Sequence, residues 1–212
     1  MTRPNLAPAV EYVVQRLLAA ASDIGLRRAG VRVRGDHDLN PGLTAGKPLV
    51  PAAVLVPIID RPDGLTVLLT RRTDHLHAHA GQISFPGGRV EECDADAIEC
   101  ALREAEEEVG LPPDRTQVIG RLDTYQTRTG FEIVPVVGIV RPPFTLKPDT
   151  FEVAEVFEVP LGFVLDPGNH QRHSRRDAYG VERQFWVLPY GDYYIWGATA
   201  GILVNLSEVL RG

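Results

Sequence analysis

The sequence predicts an α/β sandwich built around a mixed β-sheet. Four strand-like apolar runs fall between residues 52 and 140, one strongly amphipathic helical segment interrupts them, and further helical patterns open and close the chain. At 212 residues and 44% hydrophobic, the chain is long enough to bury a core of its own.

The elements follow in order. From Pro8 to Ala21, Val10, Val13, Val14, Leu17 and Leu18 recur at helical spacing, so residues 1–33 are expected to carry an N-terminal helix packed on a single domain, 34–212. Residues 34–50 hold Gly35, Pro41, Gly42, Gly46 and Pro48 and read as an irregular connection. The runs Ala52–Ile59 and Leu65–Thr70 flank Asp60-Arg61-Pro62-Asp63-Gly64, a hairpin with a medium loop. Further strands are expected at Val118–Tyr125, Ile133–Val140, Val153–Val159 and Gln184–Leu188, with Pro135 and Pro160 at bulges or ends. Ile202, Leu206, Val209 and Leu210 give residues 198–210 the spacing of a closing helix.

Composition narrows the function. A net charge of −6 argues against nucleic-acid binding through a broad basic surface, so any phosphate site must be local. Only two cysteines occur, Cys93 and Cys100, with no second pair for a thiolate metal site and no signal sequence, which suits reduced thiols in the cytoplasm. The apolar stretches are too short to span a bilayer. A cytoplasmic monomer or homodimer with neither a nucleic-acid nor a membrane partner is expected.

The segment from Ala97 to Val109 carries the chemistry. Ile98, Ala101, Leu102, Ala105 and Val109 form one apolar stripe, Asp96 and Glu99 resemble a capping box, and Gly110 with Pro112 marks the end. Glu104, Glu107 and Glu108 stand at i, i+3 and i+4, so their carboxylates converge on one side. Clustered like charges repel unless water, arginine or a cation neutralises them. Such hard oxygen donors suit Mg²⁺ or Mn²⁺, which completes its shell with water and substrate phosphate, whereas the bland alternative is a solvated acidic face.

Upstream, Gln82-Ile83-Ser84-Phe85-Pro86-Gly87-Gly88 ends in two glycines that permit close backbone approach. Together with Arg103-Glu104-x-x-Glu107-Glu108-x-Gly110-Leu111 it resembles the Nudix signature, G-x5-E-x7-R-E-U-x-E-E-x-G-U with U apolar. The second half matches with Ala105 at U. The first half departs by one residue: counting forward from Gly88 lands on Asp94, which makes Asp94 the nearest equivalent of the first acid and the expected charge partner of Arg103. The resemblance implies a Nudix-type α/β/α sandwich.

Leu68-Leu69-Thr70-Arg71-Arg72-Thr73, followed by Gly81-x3-Phe85-Pro86-Gly87-Gly88, is similar to the extra motif of the coenzyme A diphosphatase branch, L-L-T-x-R-[ST]…G-x3-F-P-G-G. Further matches lie at 127–138, 152–161 and 195–200. This resemblance implies a small CoA-like nucleotide substrate, hydrolysed at its diphosphate to 3′,5′-ADP and 4′-phosphopantetheine. It implies metal ligands Glu104, Glu107 and Glu108, with Glu107 acting directly or through water. The implied catalytic set is Glu107, Glu152 and Arg103, with Arg103 orienting carboxylates and Glu152 serving as general base or as a further ligand. Implied substrate contacts are Arg72, His77, Gly87 and Gly88. His77 stands where the branch carries Arg or Lys, and Arg72 has a strand-end ion pair as its alternative. Glu155 and Glu158 read as exposed strand residues, and Cys100 as an inert, half-buried thiol. His75, His77 and His79 suit a surface or a substrate contact better than zinc. Trp186, Tyr193, Tyr194 and Trp196 read mainly as core, with adenine stacking as the alternative. Arg172-His173-Ser174-Arg175-Arg176 reads as a solvated loop, with a grip on the 3′-phosphate as the alternative. Competing functions are a Nudix diphosphatase for ADP-ribose, NADH or a nucleoside triphosphate, and a non-catalytic nucleotide sensor.

Overall fold

The computed structural model of the protein describes residues 8–26, 33–43, 48–75, 81–177 and 179–212. The chain opens with α1 (Pro8–Leu26), β1 (Arg34–Gly35), β2 (Val50–Arg61) and β3 (Gly64–Arg72). Then come β4 (Ile83–Ser84), β5 (Gly87–Arg89), α2 (Ala97–Val109), β6 (Thr116–Arg121), β7 (Tyr125–Gln126) and β8 (Phe131–Val140). It closes with β9 (Val153–Pro160), α3 (Leu161–Leu165), β10 (Gln171–Arg176), β11 (Glu182–Tyr190), β12 (Tyr193–Trp196) and α4 (Ala198–Arg211).

The main sheet is mixed. β2 lies at its centre, parallel to β8 and antiparallel to β3 and β5. Side chains alternate across it as the pleat requires. Ala53, Leu55 and Ile59 of β2, Leu68 of β3 and Val136 and Val140 of β8 pack beneath α2. Val56, Ile58, Val67, Leu69, Val137 and Ile139 face the other way, against α1, α3 and α4. Two helical layers thus enclose one sheet, the α/β/α sandwich expected from sequence. Truncating a fully buried Leu55 or Leu68 to Ala would cost about 2–5 kcal/mol.

A second antiparallel sheet, β10-β11-β12, packs through β11 and β12 on α4. Asn40 ties it to the chain's first half, donating to the Gln184 carbonyl and accepting from the Gln184 amide at 2.9 Å each, as a strand neighbour would.

Several local expectations need correction. The β2–β3 connection is tighter than read from sequence, because Asp60 and Arg61 pair with Leu65 and Gly64 and leave only Pro62 and Asp63 as loop. Pro135 sits inside β8, neither at a bulge nor at an end: β6 pairs with β8 only as far as Val136 and β7 begins at Ile133, so Pro135 only accepts there, from the Leu122 amide at 3.0 Å, and no N–H is demanded of it. Leu18 is 53% exposed although its spacing put it on the apolar stripe; Val10, Val13 and Leu17 carry the burial of α1. The basic segment from Arg172 to Arg176 is not a loop but β10, with Arg172 opposite Trp186 and Arg176 opposite Glu182.

Candidate active site

α2 is fixed at both ends by its own sequence. The Asp96 carboxylate accepts from the amides of Ile98 and Glu99 at 2.7 and 3.1 Å, while Glu99 reaches back to the Ala95 amide. At the other end Gly110 adopts φ 67°, its amide bonding the Glu106 carbonyl and Leu111 the Ala105 carbonyl. Ala101, Ala105 and Val109 bury the apolar face against β2 and β5, which turns the glutamates toward β5.

Arg103 gathers three carboxylates. Its Nε and Nη2 grip Asp94 at 2.9 and 3.0 Å, and its Nη1 lies 3.1 Å from both Glu104 and Glu107. The Asp94 side chain is 1% exposed, and this guanidinium holds its carboxyl down at about 2. The pair expected from the displaced signature therefore forms, and the extra residue before the helix is absorbed in the turn where the Glu91 amide donates to Asp94.

The two glycines are required by approach distances. A Cβ on Gly88 would lie 2.3 Å from Oε1 of Glu104, and one on Gly87 would meet the Ala53 carbonyl of β2 at 2.4 Å. With no side chain in the way, the Gly87 amide donates to Glu108 at 3.1 Å. Burial pushes the Glu108 carboxyl up to about 7 despite that bond and despite Arg72, and burial likewise raises Glu104. Glu152, in the turn before β9, adds its negative charge to both. Arg72, at the end of β3, lies 3.5 Å from Glu108 and 3.4 Å from Glu152, and among the described residues its buried Nε has no partner.

A cavity of about 800 Å³ opens beside these groups. Gly87, Gly88, Arg72 and Arg89 line one end, while Glu104 and Glu108 stand behind the glycine strand and do not line it. Its walls include Val54, Phe131, Ile133, Phe185 and Trp196, and Arg128, Arg175, Arg176 and Arg183 also line it.

The expected site residues separate into groups. Arg72, Arg103, Glu104, Glu107, Glu108, Glu152, Gly87 and Gly88 come together at the α2–β5 end, with Glu107 the most open of the glutamates at 62%. His77 and His79 lie outside the described residues, and His75 packs edge-on to Phe151. Glu155 and Glu158 are not exposed as expected: Glu155 bonds Tyr193 and Arg71, and Glu158 bonds Arg61 and Thr66. Cys100 is fully buried, with burial pushing its thiol to about 11. Tyr193 stacks on Phe157 and Trp186 lies beneath Arg172, whereas Trp196 reaches the cavity. Sequence reading did not bring Arg128 and Arg183 to the site. Their only signal was a basic charge on turn- and strand-like segments, and nothing local says that those segments meet.

Whether these residues suit a divalent cation can be judged from the donors. Among the described residues no three acidic, histidine or cysteine side chains already converge as a closed cage. Two all-oxygen donors, the half-buried Glu104 and the buried Glu108, whose burial disfavours their charged forms, instead suit Mg²⁺ or Mn²⁺, which takes one or two carboxylates and fills the remaining positions with water and phosphate.

Comparison with known proteins identifies the family. The NUDIX domain family model matches residues 49–176, which contain the glycine strand, α2 and Glu152. The Uncharacterized Nudix hydrolase NudL of Escherichia coli strain K12 is 47% identical over 159 residues, covering 74% of this chain and 80% of that protein. Its counterpart in Shigella boydii serotype 18 is 46% identical over the same length and coverage. A solved MutT/nudix family protein from Enterococcus faecalis has a TM-score of 0.47 at 16% identity, over 98% of this chain and 80% of that one. On the family model and the 47% identity, this chain belongs to the Nudix family.

Proposed function

We propose that the protein hydrolyses the diphosphate of coenzyme A or a CoA ester, giving 3′,5′-ADP and (acyl-)4′-phosphopantetheine. The observation that carries the reading is the lining of the cavity. It includes Gly87, Gly88 and Arg72, within the stretch that resembles the CoA diphosphatase motif, together with Phe185 and Trp196, and its volume of about 800 Å³ leaves room for more than a diphosphate.

In this reading Glu104 and Glu108 hold Mg²⁺ or Mn²⁺, with Glu107 assisting. The bound ion supplies neutralisation of phosphoryl charge and orientation of the diphosphate. Gly87 and Gly88 let the diphosphate approach the backbone, and the Nε–H of Arg72, unpartnered among the described residues, donates to a phosphoryl oxygen. The Glu152 carboxylate accepts the proton of the attacking water as its oxygen bonds phosphorus and the P–O–P bridge breaks. Arg103 makes no substrate contact: it holds Glu104 and Glu107 in place, with Asp94 holding Arg103 in turn.

The test is a substrate panel of CoA, ADP-ribose, NADH and dATP with Mg²⁺ or Mn²⁺ and after exhaustive chelation. The highest kcat/KM is expected for CoA, with activity abolished by EDTA. Hydrolysis in H₂¹⁸O should place the label in only one of the two products. Preference for ADP-ribose or NADH would overturn the CoA reading, and full activity after chelation would remove the carboxylate–metal chemistry.

A further inference from the structure

The far end of the cavity carries more positive charge than the fold needs. Six arginines line the whole cavity against two aspartates, in a chain whose net charge is −6. Arg72 and Arg89 stand on β3 and β5, with Arg89 over the Phe131 ring; Arg128 stands on the turn between β7 and β8, and Arg175, Arg176 and Arg183 on the β10–β11 hairpin. Arg175 stands directly across from Arg183 in the β10–β11 pair, and like charges in that position are destabilising.

The nearby acids do not neutralise this group. Asp177 is taken by Arg183 at 3.1 Å and by the amides of Tyr179 and Val181. Asp36 accepts from the Tyr125 hydroxyl at 2.9 Å and from the Arg128 amide at 2.8 Å, not from the Arg128 guanidinium. Glu182 faces Arg176 in the strand register, yet its carboxylate bonds Ser174. Among the described residues, Arg128, Arg175 and Arg176 have no acidic side chain within ion-pair distance. Arg172, by contrast, is accounted for over the Trp186 ring. Two different elements, the turn after β7 and the end of β10, thus bring arginines with no acidic partner among the described residues to one cavity.

We propose that Arg128 and Arg175, with Arg176 beside them, form a second anion subsite that takes a phosphomonoester on the ribose of the substrate. Guanidinium groups are suited to this because their forked donors match the oxygens of a terminal phosphate. The subsite makes the protein selective for nucleoside diphosphate derivatives that bear a further phosphate. As a statement about the reaction it rests on the CoA reading above, where that group is the 3′-phosphate.

The experiment compares CoA with 3′-dephospho-CoA in the wild type, Arg175→Ala, Arg176→Ala and Arg128→Ala, with thermal melts to verify folding. Arg128 lies on a separate turn, so its variant still tests the subsite if a β10 variant fails to fold. The wild-type ratio of kcat/KM for CoA over dephospho-CoA is expected to fall about tenfold in each variant and further in the double variant of β10. An unchanged ratio would overturn the subsite, including the case where both substrates weaken equally through loss of general attraction for anions. If the wild type cleaves neither substrate, the CoA reading fails, and calorimetric titration with adenosine 3′,5′-bisphosphate and AMP decides the subsite separately. Tighter binding of the bisphosphate, lost in Arg175→Ala, would uphold it; equal binding of the two would sink it.

Discussion

Beside the cavity at α2 the carboxylates of Glu104 and Glu108 are pressed against glycine backbone and flanked by Arg103 and Arg72, whereas at the β10–β11 end Arg175 and Arg176 are exposed and, among the described residues, have no acidic partner. Charge at the first end is buried, held by named partners and intolerant of small displacements. Charge at the second end is solvated and adjustable. A buried carboxylate resists its own ionisation, as the Glu108 value of about 7 records, and so favours whatever cation compensates it; an exposed arginine carries little such penalty and acts through attraction. The first arrangement suits chemistry at a fixed point, and the second suits recognition of a charged group whose position varies.

The largest effect should come from removing one charge at the buried end. Glu104→Gln and Glu108→Gln are each expected to lower kcat by at least ~100-fold while leaving the melting curve cooperative, which steady-state assays and calorimetry would check. Near-wild-type turnover in folded protein would erase the contrast between the two ends.

Displacement without loss of charge should come next. Gly88→Ala puts a methyl group 2.3 Å from Oε1 of Glu104 at a position with no positive φ, so the chain still folds but the carboxylate must move. A fall of roughly 10- to 100-fold in kcat is expected, since misplacement by about 1 Å costs on that order. An unaffected Gly88→Ala enzyme would mean that the position of Glu104 is not critical.

The support beneath the buried end is testable by pH. Arg103 holds the folded Asp94 carboxyl near 2, below its ordinary value of about 4 in the unfolded chain, so the folded state releases this proton more readily. Its stabilisation is therefore complete above pH ~4 and is lost as pH falls toward 2. Asp94→Asn should melt lower than wild type at pH 7, and the gap should narrow between pH ~4 and 2. A gap independent of pH would assign the effect to packing instead of charge.

Salt should produce the smallest effect and separate the ends most directly. Raising ionic strength from about 0.05 to 0.2 M is expected to raise KM by roughly threefold with little change in kcat, because exposed guanidinium groups are screened and buried carboxylates much less so. A salt effect confined to kcat would reverse the assignment of the two ends.

The sequence by itself determined the acidic end. Apolar spacing, Asp96, Gly110 and the i, i+3, i+4 glutamates all lie within fifteen contiguous residues, where helix geometry alone sets the relative directions of side chains. The one-residue departure before α2 was legible too, since the signature's count puts Asp94 in place of the first acid, opposite Arg103 nine residues on. Only the tertiary structure decided the basic end. β10 carries no apolar alternation to announce a strand, and its pairing depends on β11, whose Gln184 is tied in turn to Asn40, 144 residues away in sequence. Arg128 reaches the same cavity through β7 and the Asp36 turn. A helix fixes its own side-chain directions through local hydrogen bonds, whereas a strand acquires its faces only when a partner supplies the other half of the ladder, so the meeting of these arginines is set by long-range pairing that no single segment encodes.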